Sequence, residues 1–483
     1  MPQLDHSDQN TFDSLIDVWQ SKLARNQLRS VYYDTKNPLK DLGISIPPQL
    51  RNIETALGWP AKGVNVLARR CNFDDFVVPG QESDPFGLSR IQVENQLDML
   101  IPQAITSALV HATAFIATTR GDVQSGEPEI LQTVRSALTG AGIWDSRRRG
   151  MSAFLSVVAT DANGLPVHFV MYLPARVLTM VKSGTSWRVF EQSNPLGRVP
   201  VEPMVYQPEL ERPFGHSRIS RTVMSLTDQA IRAMLRAEVS AEFYSSPQRW
   251  LMGADESAFQ DADGQTVNKW QTVMGRMLAI GLDDDGNKPE VGQFPQMSME
   301  PHLAHLRQIA QNFAAEQNLP VSSLGIVQDN PASAEAIFAA KEELVVEAEG
   351  ANRVFGMGLV RSAMNAVMLR DGLTEATPEL YKLRAKFRDP ATPSKASAAD
   401  AVTKQVSTFP WMADSDVALE QLGYDETTIE RLRIDRQRAK AGDRLTSLVA
   451  AAKSIRQGVQ GGDSGAGVGV PAQQPSVSGV GAA

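Results

Sequence analysis

His302 and His305 stand three residues apart in a stretch with helical spacing, which would put two imidazoles on one side of a metal ion. Leu303 and Leu306 share that stretch, no His-Glu-x-x-His pattern accompanies it and no third ligand is evident, so a surface or subunit-contact role is the reading. Asp261-Ala262-Asp263-Gly264 and Asp283-Asp284-Asp285-Gly286 resemble acidic calcium loops. With either glycine at the sixth loop position, the first would be Phe259 or Gly281 and the twelfth Trp270 or Gly292, none of them an acid, so both read as turns. Gly356-Met357-Gly358 lacks the third glycine of a dinucleotide fingerprint, and no Gly-x-x-x-x-Gly-Lys-Ser/Thr loop occurs. His216 and Ser217 are adjacent and point in different directions, which makes Ser217 a helix-capping serine rather than a nucleophile. No carboxylate pair stands beside a matched base. No catalytic residue, metal or cofactor is assigned.

The basic residues are more informative. Arg147-Arg148-Arg149 in a polar loop can bind phosphate or a partner's acidic patch, or simply be solvated. Arg218, Arg221, Arg232 and Arg236 lie among Ala, Leu and Met, which favours intersubunit salt bridges over phosphate contact. None of these patterns reads bases.

The elements that must position such residues centre on Phe294 to Arg370. Leu303, Leu306, Ile309, Ala310 and Phe313 recur at helical spacing, with Ser298 as a cap. A second helix opens after Pro331 and runs towards Met368. Gly350, Gly356 and Gly358 interrupt its pattern; a helical glycine costs about 1 kcal/mol relative to alanine, so three imply a bend, a break or very close packing. Upstream, residues 1–10 read as frayed, Thr11 to Arg29 as a helix, and Ile91 to Leu109 as a helix interrupted near Pro102. Thr113 to Thr119 reads as a strand and Glu129 to Gly140 as a short helix. Two hairpins turn at Asp161-Ala162-Asn163-Gly164 and Lys182-Ser183-Gly184-Thr185. Prolines 195, 200, 203, 208 and 213 mark a boundary or a strap across the sheet. Ser220 to Tyr244 is a strong helix, and residues 247–295 are a small insertion, with Arg249 to Met252 as a strand and Val267 to Leu278 part helical. Helix resumes from Ala401 to Gly458, and the Gly/Ala/Ser/Pro-rich end predicts disorder.

At 483 residues the chain exceeds the roughly 250–300 over which one core grows, so several domains are expected. A formal net charge of -8 excludes a DNA-coating protein without excluding local contact with nucleic acid. The single cysteine, Cys71, excludes an internal disulfide and a Cys-rich metal site. No stretch approaches the roughly 18 apolar residues of a membrane span, and the polar start is unlike a signal peptide, which predicts a soluble protein made in a reducing compartment.

In order along the chain stand the proline-rich connector, Phe214-Gly215-His216-Ser217-Arg218-Ile219 opening a long helix, the insertion, and the helix of Met299 to Phe313. Asn318-Leu319-Pro320-Val321-Ser322-Ser323-Leu324-Gly325 and Asn330-Pro331-Ala332-Ser333-Ala334-Glu335-Ala336-Ile337 follow. This order, over roughly residues 10–455, resembles the portal proteins of tailed bacteriophages, in the gp6-like group. Pro331 and Ala334 depart from the family's Asn-x-Ser-Gly-x-Ala-like entry to its kinked helix. The resemblance implies an α+β fold, mainly helical, with a mixed wing, a long helical stem, a small α/β clip and a helical crown. It maps a disordered N-terminus to 1–10, wing to 11–213, stem to 214–245 and 298–318, clip to 246–297, wing with kinked helix and tunnel loop to 319–373, crown to 374–458 and a disordered tail to 459–483.

The resemblance further implies a dodecameric ring at a capsid vertex, through which double-stranded DNA passes without sequence specificity. Implied partners are other copies of the chain, terminase, major capsid protein, head-tail adaptor and scaffolding protein, with no membrane. Its implied location is the virion's portal vertex, and the host cytoplasm during assembly. Candidate DNA or subunit contacts are Arg232, Arg236, Arg147, Arg148 and Arg149. The tunnel-loop region falls on Glu347, Glu349, Gly350, Asn352, Arg353, Gly356 and Gly358. The family is not the ATP-hydrolysing motor, in keeping with the missing phosphate loop. Two rival classes remain at this point: a capsid or adaptor subunit without a DNA channel, and a metal-dependent nucleic-acid-processing enzyme.

Overall fold

Alternating apolar residues in the second hundred of the chain and helical spacing elsewhere build a mixed α+β, mainly helical protein. The structure is a computed structural model that describes residues 2, 4–38, 55–80, 84–245, 249–253, 286, 288, 290–293, 298–326, 334–391, 395–424 and 426–460. The readings at Asp261 to Gly264, Val267 to Leu278, Asp283 to Asp285, Asn330 to Ser333 and beyond Gln460 lie outside them.

The first helix, α1 (His6–Tyr33), starts earlier than the apolar pattern indicates, within the segment read as frayed. Buried Asp8 explains the difference, because Arg176 donates to it at 2.8 Å and holds the first turn. Phe12, Leu15 and Ile16 then pack on a five-stranded sheet. α2 (Trp59–Ala68), β1 (Phe73–Val77) and α3 (Leu88–Glu94) lead to α4 (Leu97–His111). The helical stretch breaks at Gln96, which adopts φ 52°, and not at Pro102, which lies inside α4.

β2 (Thr113–Arg120) is the middle strand of a three-stranded sheet. Residues read as a helix after Glu129 are instead β3 (Ile130–Ser136), antiparallel to β2 from Ala114↔Ser136 to Arg120↔Ile130. β4 (Gly140–Asp145), β5 (Gly150–Thr160), β6 (Pro166–Tyr172), β7 (Arg176–Ser183) and β8 (Ser186–Ser193) form the five-stranded sheet in sequence order. Two of its hairpins turn at Gly164 and Gly184, both at positive φ. The proline-rich connector is a strap: its β9 (Val201–Val205) pairs with the other side of β2, with Pro203 on an edge strand.

α5 (Arg221–Ser245) and α6 (Glu300–Glu316) run antiparallel. Ser220 meets Glu316 at 3.0 Å at one end, and Ser240 meets His302 at 3.2 Å towards the other. On α6 those contacts stand fourteen residues apart, about 21 Å at 1.5 Å per residue. Beyond them, β10 (Arg249–Met252) pairs with β11 (Glu290–Gln293). Ser298 accepts from the Glu300 amide at 3.3 Å, as the sequence predicts.

α7 (Ala334–Asp371) is one continuous helix of 38 residues. Its glycines mark close packing rather than a break. A Cβ at Gly358 would lie 2.7 Å from the Pro203 carbonyl oxygen, and one at Gly356 3.4 Å from Phe387, whereas Gly350 faces open space.

β12 (Arg384–Phe387) pairs with β1, and Arg388 and Lys386 both reach Asp74. Residues 374–391 therefore belong to the compact unit Met1–Ala391, and the second unit starts at Thr392. That unit contains α8 (Lys395–Thr408), α9 (Asp416–Gln421) and α10 (Glu426–Gln460).

Candidate functional site

The residues just before α5 are constrained by Gly215, which has φ +69° and so little room that a Cβ would lie 2.1 Å from the Tyr206 carbonyl oxygen. The His216 amide donates to that carbonyl at 2.9 Å and turns the chain back along β9. Ser217 then donates to the Val110 carbonyl at 2.5 Å, so it ties the turn to the end of α4. The helix cap is Ser220, which accepts from the Val223 amide at 3.1 Å. This corrects the reading of Ser217 as the cap.

Between them Arg218 points inward and is only 4% exposed. Its Nε donates to the Gly63 carbonyl at 2.9 Å, one terminal nitrogen to the Gln317 carbonyl at 2.5 Å, and the other to Tyr206 Oη at 3.0 Å and to Glu347. Glu347 also accepts from Tyr206 and, at 3.2 Å, from Asn318. One guanidinium thus joins α2, the strap, the end of α6 and α7. The pair is intramolecular, in place of the intersubunit or phosphate contact expected of Arg218. Burial raises the Tyr206 phenol, against the opposing pull of Arg218. Burial likewise pushes the neighbouring Cys71 thiol up to about 12.

A second buried polar layer fixes α7 on the three-stranded sheet. Asn365 accepts from Arg198 at 2.6 Å and donates to Glu202 at 3.2 Å. Gln132 donates to Ser362 Oγ at 2.8 Å and to Thr118 at 3.2 Å. Burial raises the Glu202 carboxyl, opposed first by Arg361 and then by Arg198.

The expected tunnel-loop positions all lie on α7 with no loop among them. Glu347 and Asn352 are turned into the body and Gly356 and Gly358 are buried; Glu349, Gly350 and Arg353 are exposed. The physical reason is that the 347–358 face is occupied by β9, β12 and the Arg218 joint. Arg232 and Arg236 lie half-buried on α5. Arg147, Arg148 and Arg149 form the exposed β4–β5 turn, in which Asp145 accepts from the first two amides. Arg361 donates to the Arg149 carbonyl at 3.0 Å, tying this turn to α7. His302 is engaged by Ser240, and among the described residues no group of three or more His, Cys, Asp or Glu could hold a metal ion. None of the described helices is long and apolar enough to cross a membrane.

A family model described as "Phage portal protein, SPP1 Gp6-like" matches residues 13–424. The chain belongs to the phage portal protein family. Portal proteins of Mycobacterium phages D29 and L5 are 27% identical over 428 residues and 28% identical over 411 residues, covering 87% and 83% of both chains. Among solved structures, a chain of the virion of a native gene transfer agent particle is 13% identical at TM-score 0.44, covering 79% of this chain and 89% of that one. A chain of the neck of the native particle is also 13% identical, at TM-score 0.41 over 72% and 85%. Membership assigns this chain the family's role as a portal at the capsid vertex.

By type alone Arg218 groups with the arginines of α5, although it precedes that helix, and the resemblance puts Glu347 in a loop. A signal for both was present in the portal sequence: Arg218 directly precedes buried Ile219, and Glu347 stands three residues after Leu344 and four before Ala351, on the buried face of its helix.

Proposed function

We propose that the chain forms a dodecameric ring at one capsid vertex, and that double-stranded DNA passes through its central bore during packaging and ejection without sequence-specific contact. The family match over residues 13–424 carries this reading. The antiparallel α5–α6 stalk, closed at its far end by the β10–β11 pair, supports it as the element that lines the passage. In this reading terminase docks at the vertex and supplies the energy, the major capsid protein and head-tail adaptor bind the ring, and scaffolding protein acts during assembly in the host cytoplasm. Arg232 and Arg236 contribute subunit or DNA contacts, as do Arg147, Arg148, Arg149 and the exposed α7 positions Glu349, Gly350 and Arg353. A net charge of -8 suits a conduit, because tight phosphate contacts would immobilise the polymer.

Electron microscopy of the purified full-length protein tests the architecture: rings with an axial opening and twelve-fold count are expected. Solid particles or filaments without a bore, under all conditions that support assembly, overturn it. Arg232→Gln with Arg236→Gln is expected to lower ring yield or packaging, and unchanged values of both would remove these residues from the contact set.

A further inference from the structure

A cavity of about 460 Å³ opens between α1, the α4–β2 junction, β4 and the strap residues 211–216. Its floor is apolar, with Trp19, Phe115 and Phe214. Lys22, Arg25 and Arg29 stand on successive turns of α1 on one side, and Arg212 faces them from the strap. His111 and His216 also line it, and Glu211 is the one acid there.

These cations lack the partners that their counterparts elsewhere possess. Arg90 pairs with Glu94, Arg176 with Asp8 and Lys404 with Asp400. Among the described residues, no carboxylate lies within ion-pair distance of Lys22, Arg25, Arg29 or Arg212. Arg29 donates to the Asn26 amide oxygen at 3.2 Å and the His111 carbonyl at 3.3 Å, both uncharged acceptors. Burial and then repulsion from Arg25 bring its pKa down to about 10. Arg212 approaches His216 at 3.4 Å, and His216 is the residue that meets Glu209, at 3.1 Å. In an acidic chain, three guanidinium groups and an ammonium therefore line one concave space with Glu211 as its single carboxylate and no ion pair to any of the four.

We propose that this cleft is a binding site for phosphate oxyanions, held by Arg25, Arg29 and Arg212 with Lys22 at the rim. A tetrahedral dianion can accept from several guanidinium forks at once, whereas one side-chain carboxylate fills a single fork. Half-buried Arg29, already repelled by Arg25, gains most from an anion of higher charge. The source is either a free phosphate or pyrophosphate, or a phosphate of a nucleic-acid backbone. The proposal is independent of ring formation and of the channel reading.

Isothermal titration calorimetry on the full-length protein, with pyrophosphate against chloride at matched ionic strength, tests it. One saturable site per chain is expected, weakened at least tenfold in Arg25→Gln/Arg212→Gln. Both residues are exposed, so circular dichroism and melting should confirm that the variant folds. Arg90→Gln, on a paired arginine elsewhere, should bind as the parent does. Competition separates the sources: displacement of pyrophosphate by an oligonucleotide identifies backbone phosphate, and no displacement identifies the free anion. Absence of saturable binding, equal binding by the double variant, or binding of a polyglutamate peptide without pyrophosphate overturns the proposal.

Discussion

Arg218 and Glu347, 129 residues apart in the chain, meet as an ion pair whose side chains are 2% and 10% exposed. Removing one member of such a pair strands the other charge in the interior, at about 3–5 kcal/mol. Glu347→Ala is expected to lose stability of that order in denaturant unfolding. The apolar double replacement Arg218→Met/Glu347→Leu should lose less than either single change, because no charge is stranded. A single variant as stable as the parent would show that the pair does not hold the joint together.

Cys71 reports on the same joint without perturbing it. The sole thiol is buried and its pKa is pushed to about 12, so almost none is thiolate at pH 8. A thiol reagent is expected to label the native protein far more slowly than the denatured one, and Glu347→Ala should speed native labelling by opening the joint. Rapid labelling of the folded parent would contradict the burial.

Two glycines of α7 should respond in opposite senses. Gly358→Ala drives a methyl group against the backbone of Pro203 and is expected to cost about 1–3 kcal/mol, the range for overpacking. Gly350→Ala meets nothing and should stabilise by up to about 1 kcal/mol through helix propensity. Melting temperatures of the two variants measured together check this, and a shared sign would refute the packing account.

His111 gives the body a defined acid sensitivity. Burial, reinforced by Arg29, lowers its pKa to about 4, while the unfolded residue titrates near 6.5. The unfolded chain thus takes up a proton that the folded chain refuses. The stability it contributes is present above pH 6.5 and is lost as pH falls towards about 4. At one pKa unit per 1.36 kcal/mol, the full loss is about 3 kcal/mol. Unfolding of the parent and His111→Gln across this window, in phosphate-free buffer, should show a shallower slope for the variant; parallel curves would exclude the residue.

The hairpins and the α5, α6 and α7 helices were legible because their signals are local: turn residues at Asn163-Gly164 and Ser183-Gly184, and apolar residues at helical spacing. β3 was misread because Ile130, Val134 and Leu138 also recur every four residues, and only pairing with β2 decides the period. Whether Gly358 breaks a helix or admits a neighbour depends on Pro203, far away in sequence. The same holds for Arg218, whose type announces a charge and not its partner. The cationic cleft was hidden for this reason too, since α1 and the strap meet only after folding.

The seam between β1 and β12 sets a schedule for the newborn chain. Phe73 emerges from the ribosome early, yet its partner Phe387 is translated only after the sheets, stalk and long helix have been made. Until then the edge of β1 stays open and Asp74 lacks the two cations that clasp it. A prematurely terminated product carries this unsealed edge, so completion of the subunit's body is a late translational event.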